Sequence, residues 1–455
     1  MNLISLLKKY NVAGPRYTSY PTVPEWTEQV KSSDYQRALA SLQAEEKLSL
    51  YFHIPFCERL CHFCGCMRVI TEDHRRTEAY IRALLAEMRT VQQNLAVKKP
   101  RVCQIHFGGG TPNFLKPEEL EQIFEEIKKI FCIEVDAEIA IEMHPRTSTV
   151  EFCQMLKKLG FNRISLGVQD FDPRVQQLIH RNQTYEQTRE MIDVLRDLGF
   201  HSFNFDLIYG LPGQSLKTWR ETLAKVIELS PDRLAVYSYA HVPWKSPVQR
   251  SFKDQDLPPP ELKIQLFEEA YQMFLSQGYR SIGMDHFAKE GDELSQALDR
   301  GTIHRNFMGY TTRAEAHQLG FGVSSISYVG GHYFQNEKDL KSYEQQATLG
   351  ELTTFRGYLL NQEDSIRRDL ITQIMCRAEL DFEKFSKKWK ISFKTYFSQE
   401  LNSLSELIED ALLIVDQDRL YATTSGKLFL RNIAMIFDPY YQKQKLDRPT
   451  FSQTV

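Results

Sequence analysis

The sequence predicts an α/β fold: a partial (β/α)6 barrel with extra strands, an N-terminal arm before it and a mostly helical, winged-helix-like domain after it. Two observations carry that expectation. From about residue 47, short β-branched or aromatic runs alternate with amphipathic stretches, and the chemically unusual residues fall where those runs end.

The elements follow in order. The first 46 residues form the arm, where GPRYTSYPT (14–22) holds too much Gly and Pro for a helix and reads as an ordered loop. Six strands come next: LSLYFHI (48–54), RVCQIHF (101–107), AEIAIEM (137–143), RISLGVQ (163–169), FNFDLIYG (203–210) and RLAVYSYA (233–240). Between them, stretches such as RRTEAYIRALLAEMRTV and YEQTREMIDVLRDLGF place apolar residues near i, i+3, i+4 and i+7, the stripe with which a helix covers a sheet. Alternation of this kind makes parallel βα units, whose ligands bind at the carboxyl ends of the strands. A cysteine cluster follows the first strand, GGGTP the second, and EMHP, GVQD and IYGLPG end the next three, so one rim collects them. After DLPPPE (256–261) a helix is expected, then further strands in the Gly- and aromatic-rich segment 304–331. From about residue 355 the chain turns helical, and 410–437 reads as a β-hairpin followed by a helix. The expected domains are 1–46, 47–354 and 355–455.

A chain of 455 residues, 42% hydrophobic and 25% charged, has apolar material for a sizeable core. Its formal net charge of -3 gives no electrostatic case for nucleic acid or an anionic membrane as main partner, even with a winged-helix-like ending. The N-terminal apolar run is too short for a signal segment, and no eighteen-residue apolar stretch follows. A cytoplasmic protein without nucleic-acid or membrane partners is expected.

Four of the eight cysteines lie in YFHIPFCERLCHFCGC (51–66). In a reducing compartment such a cluster reads as metal-binding or redox-active rather than as a disulfide framework. Cys103, Cys132, Cys153 and Cys376 are scattered among apolar neighbours and read as small buried hydrophobes. Cys57, Cys61 and Cys64, spaced CxxxCxxC, let three thiolates converge from one loop. Zinc would want a fourth ligand, for which Cys66, His53 or His62 is available. Three thiolates instead suit a 4Fe-4S cluster in which one iron accepts an outside ligand. Gly108, Gly109 and Gly110 allow a ligand close to the backbone, although a Gly turn after a strand is also ordinary. Glu142, Gln169, Arg181 and Asp206 read singly as caps or ion-pair partners; together they ring one cleft, with chemistry suited to nucleoside and amino-acid groups.

With Phe63 just before its third cysteine, the CxxxCxxC loop resembles the signature of the radical S-adenosylmethionine (SAM) enzymes. The further segments PRYTSYPT, HFGGGTP, RISLGVQDF, FDLIYGLPGQ, YAHVP, GMDHFA, IHRNF and GYTT resemble, in order, the oxygen-independent coproporphyrinogen III oxidase (dehydrogenase) family. That resemblance implies a radical SAM barrel converting two propionates of coproporphyrinogen III to vinyl groups, giving protoporphyrinogen IX in heme biosynthesis. It implies a 4Fe-4S cluster on Cys57, Cys61 and Cys64, and two SAM molecules. Tyr51, Gly109, Glu142 and Ile326 would lie by the first SAM; Phe63, Gly110, Thr111, Gln169, Arg181, Asp206 and Ala240 would touch the second. Cys66 and His53 are the expected catalytic residues, each with a structural alternative: a packed thiol and a hydrogen-bonded ring. Arg16, Tyr17 and Arg305 are expected to meet substrate carboxylates. The expected partners are coproporphyrinogen III and a one-electron reductase or flavodoxin-like donor, and the expected state is a monomer. A heme-degrading radical SAM enzyme and a heme chaperone on the same barrel are the rival readings; the CGC continuation and the PRYTSYPT arm argue against both.

Overall fold

The computed structural model describes residues 3–244, 246–313, 316–443, 451, 453 and 454. The six expected strands form as β1 (Lys47–Ile54), β2 (Arg101–Gly109), β3 (Cys132–Met143), β4 (Arg163–Gln169), β5 (Phe203–Tyr209) and β6 (Arg233–Ser238). They lie side by side in chain order and all parallel. The sheet continues beyond both edges to twelve strands: His286–Lys289 and Tyr279–Gly283 follow β6, while His317–Phe321, Ile326–Val329, His332–Asn336 and Thr354–Leu359 continue outward from β1. Its two end strands are not paired with each other, so the barrel is partial.

Residue alternation sets the two faces of β1. Leu48, Leu50, Phe52 and Ile54 enter the main apolar core, with the Phe52 ring stacked between Phe107 and Phe321 at 4.8 and 5.1 Å, while Ser49, Tyr51 and His53 point the other way. Helices between the strands cover the outside: Arg76–Asn94 buries Tyr80, Leu84 and Met88, and Tyr185–Asp197 buries Met191, Ile192 and Leu195. The second of these starts with a reciprocal cap, in which the Thr184 hydroxyl accepts from Gln187 N–H and the Gln187 carbonyl oxygen from Thr184 N–H. At the amino ends of the strands, Arg163–Glu138 (2.9 Å) and Arg233–Asp292 (2.8 Å) fill the barrel with paired, mostly buried charge.

Three expectations need correcting. Thr354–Leu359 is an edge strand of the large sheet, so the sheet runs past the boundary expected at 354/355. The arm is divided between two cores: Leu6, Leu7, Tyr10, Tyr17 and Tyr20 pack with the C-terminal region, whereas Val30, Tyr35, Leu39 and Leu42 pack with the barrel. Cys132 is exposed, because β3 begins five residues earlier than its apolar alternation does. The C-terminal region combines helix Gln362–Arg377, the three-stranded antiparallel sheet of Glu379–Asp381, Arg419–Ala422 and Leu413–Val415, and helix Leu430–Ile436, with the hairpin and helix where the sequence places them.

Candidate active site

The cysteine loop leaves β1 at its carboxyl end and is pinned to its neighbours by backbone hydrogen bonds. Val69 N–H donates to Pro55 O (2.7 Å), Thr71 N–H to Cys57 O (3.0 Å), and His62 N–H to Ile179 O (2.9 Å). Gly110 and Thr111 donate back to Ile54 and Phe56 at 2.8 and 2.9 Å, which seats the glycine turn beside the loop. Between them opens a cavity of about 170 Å³, lined by Cys57, Cys61, Phe63, Cys64 and Cys66 on one side and by Gly109, Gly110, Thr111, Glu142, Gln169, Arg181 and Asp206 on the other.

Two of the sulfurs already receive donors: Thr111 Oγ1 lies 3.2 Å from Cys57 Sγ, and Arg181 Nη1 lies 3.7 Å from Cys61 Sγ. Burial pushes the Cys57 thiol up to about 11, against the Thr111 donation. The Cys64 and Cys66 thiols share a hydrogen bond that draws Cys64 down to about 6 and pushes Cys66 up. Arg59, Arg68, Arg146 and Arg181 also border the cavity, a positive surround for clustered thiolates.

The glycines are required by space. A Cβ on Gly108 would lie 2.7 Å from Glu142 Oε1; on Gly109, whose φ is +110°, 2.6 Å from the His53 ring; on Gly110, 2.7 Å from the Pro55 carbonyl. Glu142 accepts from His106 Nε2 (3.1 Å) and from Gly109 N–H (3.2 Å). Burial pushes its carboxyl up, but the His106 bond and charge and the Gly109 amide outweigh that and hold it below the usual range. Asp206 moves the opposite way, raised to about 7 by burial and by the nearby Glu142 charge, against a 3.0 Å donation from Asn204. Gln169, buried at φ +67°, keeps Oε1 without a hydrogen-bond partner, so the site retains acceptor capacity for a ligand.

Four expected residues do not line this cavity. Tyr51 and His53 lie behind the glycines: His53 Nε2 donates to Met67 O (3.0 Å), which leaves Nδ1 to accept from the Tyr51 hydroxyl (3.1 Å). Both ring nitrogens are thus engaged, and burial lowers the His53 pKa, so the ring is neutral. Ala240 follows the end of β6, and Ile326 begins an antiparallel strand; neither lines this cavity. Sequence reading missed Arg146 and His180, which do line the cavity, as does His144, which stands in EMHP where the family commonly has an acidic residue. Their positions just past a strand end and a short helix were the available signal. Of the expected carboxylate partners, Arg16 pairs with Asp285 (2.6 Å) and the Tyr17 hydroxyl donates to Asp438 (3.0 Å), while Arg305 stands apart, inside a second cavity.

The donor set fits a 4Fe-4S cluster with a SAM ligand: three thiols face a glycine cradle that any Cβ would fill, with an unpartnered buried amide oxygen, carboxyl groups and a guanidinium beyond. Among the described residues, no three Cys, His, Asp or Glu side chains are grouped tightly enough for a single metal ion.

The chain matches the radical SAM superfamily model over residues 51–226 and the HemN C-terminal domain model over residues 360–429. It is 42% identical over 452 residues to the oxygen-independent coproporphyrinogen III oxidase of Escherichia coli, covering 99% of this chain and 98% of that one. The enzyme of the same name from Pseudomonas aeruginosa is 40% identical over 453 residues, with 99% and 98% covered. Among solved structures, coproporphyrinogen III oxidase (HemN) from Escherichia coli, described as a radical SAM enzyme, superimposes with a TM-score of 0.91 at 40% identity over 96% of this chain and 98% of that chain.

Proposed function

This chain belongs to the family of oxygen-independent coproporphyrinogen III oxidases within the radical SAM superfamily, and on that premise we propose that the cavity at the carboxyl ends of β1–β5 is its reaction centre. The protein is an oxidoreductase of porphyrin biosynthesis acting on coproporphyrinogen III without oxygen. One observation supports the siting above others: the three thiols of a single loop face Glu142, Gln169, Arg181 and Asp206 across one cavity.

When bound, the cluster and SAM supply a primary carbon radical able to take hydrogen from an unactivated propionate. In this reading Cys57, Cys61 and Cys64 hold the cluster. Glu142, kept ionised, is placed for the SAM ammonium, and the backbone of Gly108–Gly110 lies alongside. Arg181 presents donors to a carboxylate or to the cluster's own charge, and Gln169 and Asp206 suit ribose hydroxyls. A second SAM, with Phe63, Gly110 and Thr111 on its side, belongs to the same proposal. Tyr51 and His53 act through position: their hydrogen-bonded pair fills the space behind Gly109 and fixes the cradle. Cys66, at the mouth, is placed toward substrate. A one-electron donor of flavodoxin type completes the cycle. The walls would hold the substrate carbon close to that chemistry and limit water around it.

The test is anaerobic incubation of the reconstituted, reduced protein with SAM and coproporphyrinogen III. The expected result is protoporphyrinogen IX by mass together with 5'-deoxyadenosine. Heme uptake without a vinyl product, or ring opening of added heme, would replace this reading with one of its rivals.

A further inference from the structure

A second cavity, of about 120 Å³, lies between the arm, the hairpin His304–Asn306/Gly309–Thr311 and helix Gln362–Arg377. Arg305 lines it. This residue is only 7% exposed, yet its Nε and Nη1 have no hydrogen-bond partner, and the guanidinium rests 4.8 Å from the centre of the Tyr310 ring. Arg368 faces the same space from the helix, its guanidinium 4.1 Å over Tyr328 and its Nε donating to the Tyr333 hydroxyl at 3.0 Å. From the arm comes Tyr20, 2% exposed, whose hydroxyl is also without a partner. Among the described residues, no carboxylate lines this cavity. A buried guanidinium with two unused donors costs stability unless an anion completes it, so this is a site built for a planar, negatively charged group.

The cavity also has a place relative to the reaction centre. A chamber of about 100 Å³ inside the barrel shares Glu142 and Asp206 with the cluster cavity and is bounded farther along by Tyr237, His286 and Tyr310. Tyr310 is the cross-strand partner of Arg305, so the two side chains share one face of the hairpin, and the Tyr310 ring that bounds the chamber touches the guanidinium that lines the arginine pocket. The cations that line the chamber are already used: Arg163 pairs with Glu138 at 2.9 Å and Arg233 with Asp292 at 2.8 Å.

We propose that Arg305, with Arg368 and Tyr20, forms a carboxylate pocket that grips a propionate the reaction leaves intact, and so fixes which propionate reaches the radical. The proposal rests on the coproporphyrinogen reading above. A SAM carboxylate has the same chemistry, and the experiment separates the two.

Arg305→Met and Arg305→Lys are compared with the wild type as reconstituted full-length holoprotein. Loss of a charge-assisted fork should raise KM for coproporphyrinogen III roughly thirtyfold in Arg305→Met, and less in Arg305→Lys, with kcat changed by less than about threefold. Direct titration with coproporphyrin III, followed by fluorescence, should weaken in step, while SAM affinity and the iron–sulfur absorption stay unchanged. Arg305→Met removes two buried donors without hydrogen-bond partners together with the attraction of Arg305 to the Asp285 carboxylate, so it should melt close to wild type. Unchanged porphyrin affinity, a loss confined to SAM, or a Tm well below wild type would each overturn the pocket. If wild type binds coproporphyrin III through Arg305 but forms no vinyl product, the parent reading fails and the pocket stands.

Discussion

At the scale of single residues, the cavity divides its thiols and its carboxyl groups into different kinds. Cys57 and Cys61 each have a donor aimed at sulfur, and Cys64 shares the proton of Cys66. Anaerobically reconstituted Cys57→Ala should therefore lose most of its broad iron–sulfur absorption. Cys66→Ala should keep that absorption while product formation drops at least about a hundredfold, an effect in the range of one catalytic group. Iron loss from Cys66→Ala would move it into the ligand set. The carboxyls differ in sign. Asp206 titrates at about 7 in the folded chain against 3.8 when free, so between those values the folded protein holds a proton that the unfolded chain has released. Stability should then be fullest below pH 4 for this group and fall as pH rises toward 7, by up to about 1.4 kcal/mol per pH unit. Glu142, lowered by its partners, contributes the opposite slope below its ordinary range near 4.5. Denaturant melts of wild type and Asp206→Asn across pH 5 to 7 measure the difference: the variant should lose the downward slope.

At the scale of elements, the strand ends do the positioning, and the glycine turn after β2 is their tightest point. Gly109→Ala places a methyl at positive φ and against the His53 ring, whose two nitrogens are bonded to Tyr51 and Met67 and cannot swing freely. It should cost roughly 1–3 kcal/mol of stability and weaken SAM binding, read by thermal melts and by equilibrium dialysis of labelled SAM. That β1 to β6 and this turn were legible follows from period: apolar alternation marks a strand, and Gly or Cys breaks it at the rim. The start of β3 was not legible. Its first residues pair Cys132 and Ile133 with Arg101 and Val102 and then shift register, leaving Val135 fully exposed, so no amphipathic signal exists there. Ala240 and Ile326 were placed by resemblance alone, and nothing in their neighbours' periodicity says which cavity they face. Arg146 escaped because an Arg after a strand reads equally well as a cap or a surface charge, and His144 was legible only as a departure from the family's pattern; His144 does accept from Arg146 N–H at 3.3 Å.

At the scale of the whole molecule, the arm is the piece whose role no local pattern could disclose, since its partners lie hundreds of residues away. Lys9 and the Tyr10 hydroxyl both reach Asp410, at 2.5 and 2.6 Å; Arg431 donates to Pro15 O at 2.9 Å; and Tyr17 is anchored on Asp438. Between these ties to the C-terminal region, Arg16 crosses to the barrel and pairs with Asp285, whose other oxygen accepts from His286 at 2.7 Å.

Arg16 is thus a charged bolt of the arm into the barrel wall, four residues along the chain from the Tyr20 that lines the arginine pocket. Burial alone would raise the Asp285 carboxyl, but His286 and Arg16 hold it well below the usual range, so it is ionised at neutral pH. Arg16→Ala leaves that buried carboxylate with His286 as its close partner, a loss of roughly 3 kcal/mol drawn from arm docking rather than from the barrel core. A loosened arm admits water and leaves the radical without a fixed target. The variant should therefore bind cluster and SAM as wild type does, be cut faster by protease within residues 11–22, and release more 5'-deoxyadenosine per vinyl group formed. A coupling ratio equal to wild type, with the arm demonstrably cleaved faster, would show that closure at this seam does not govern the fate of the radical.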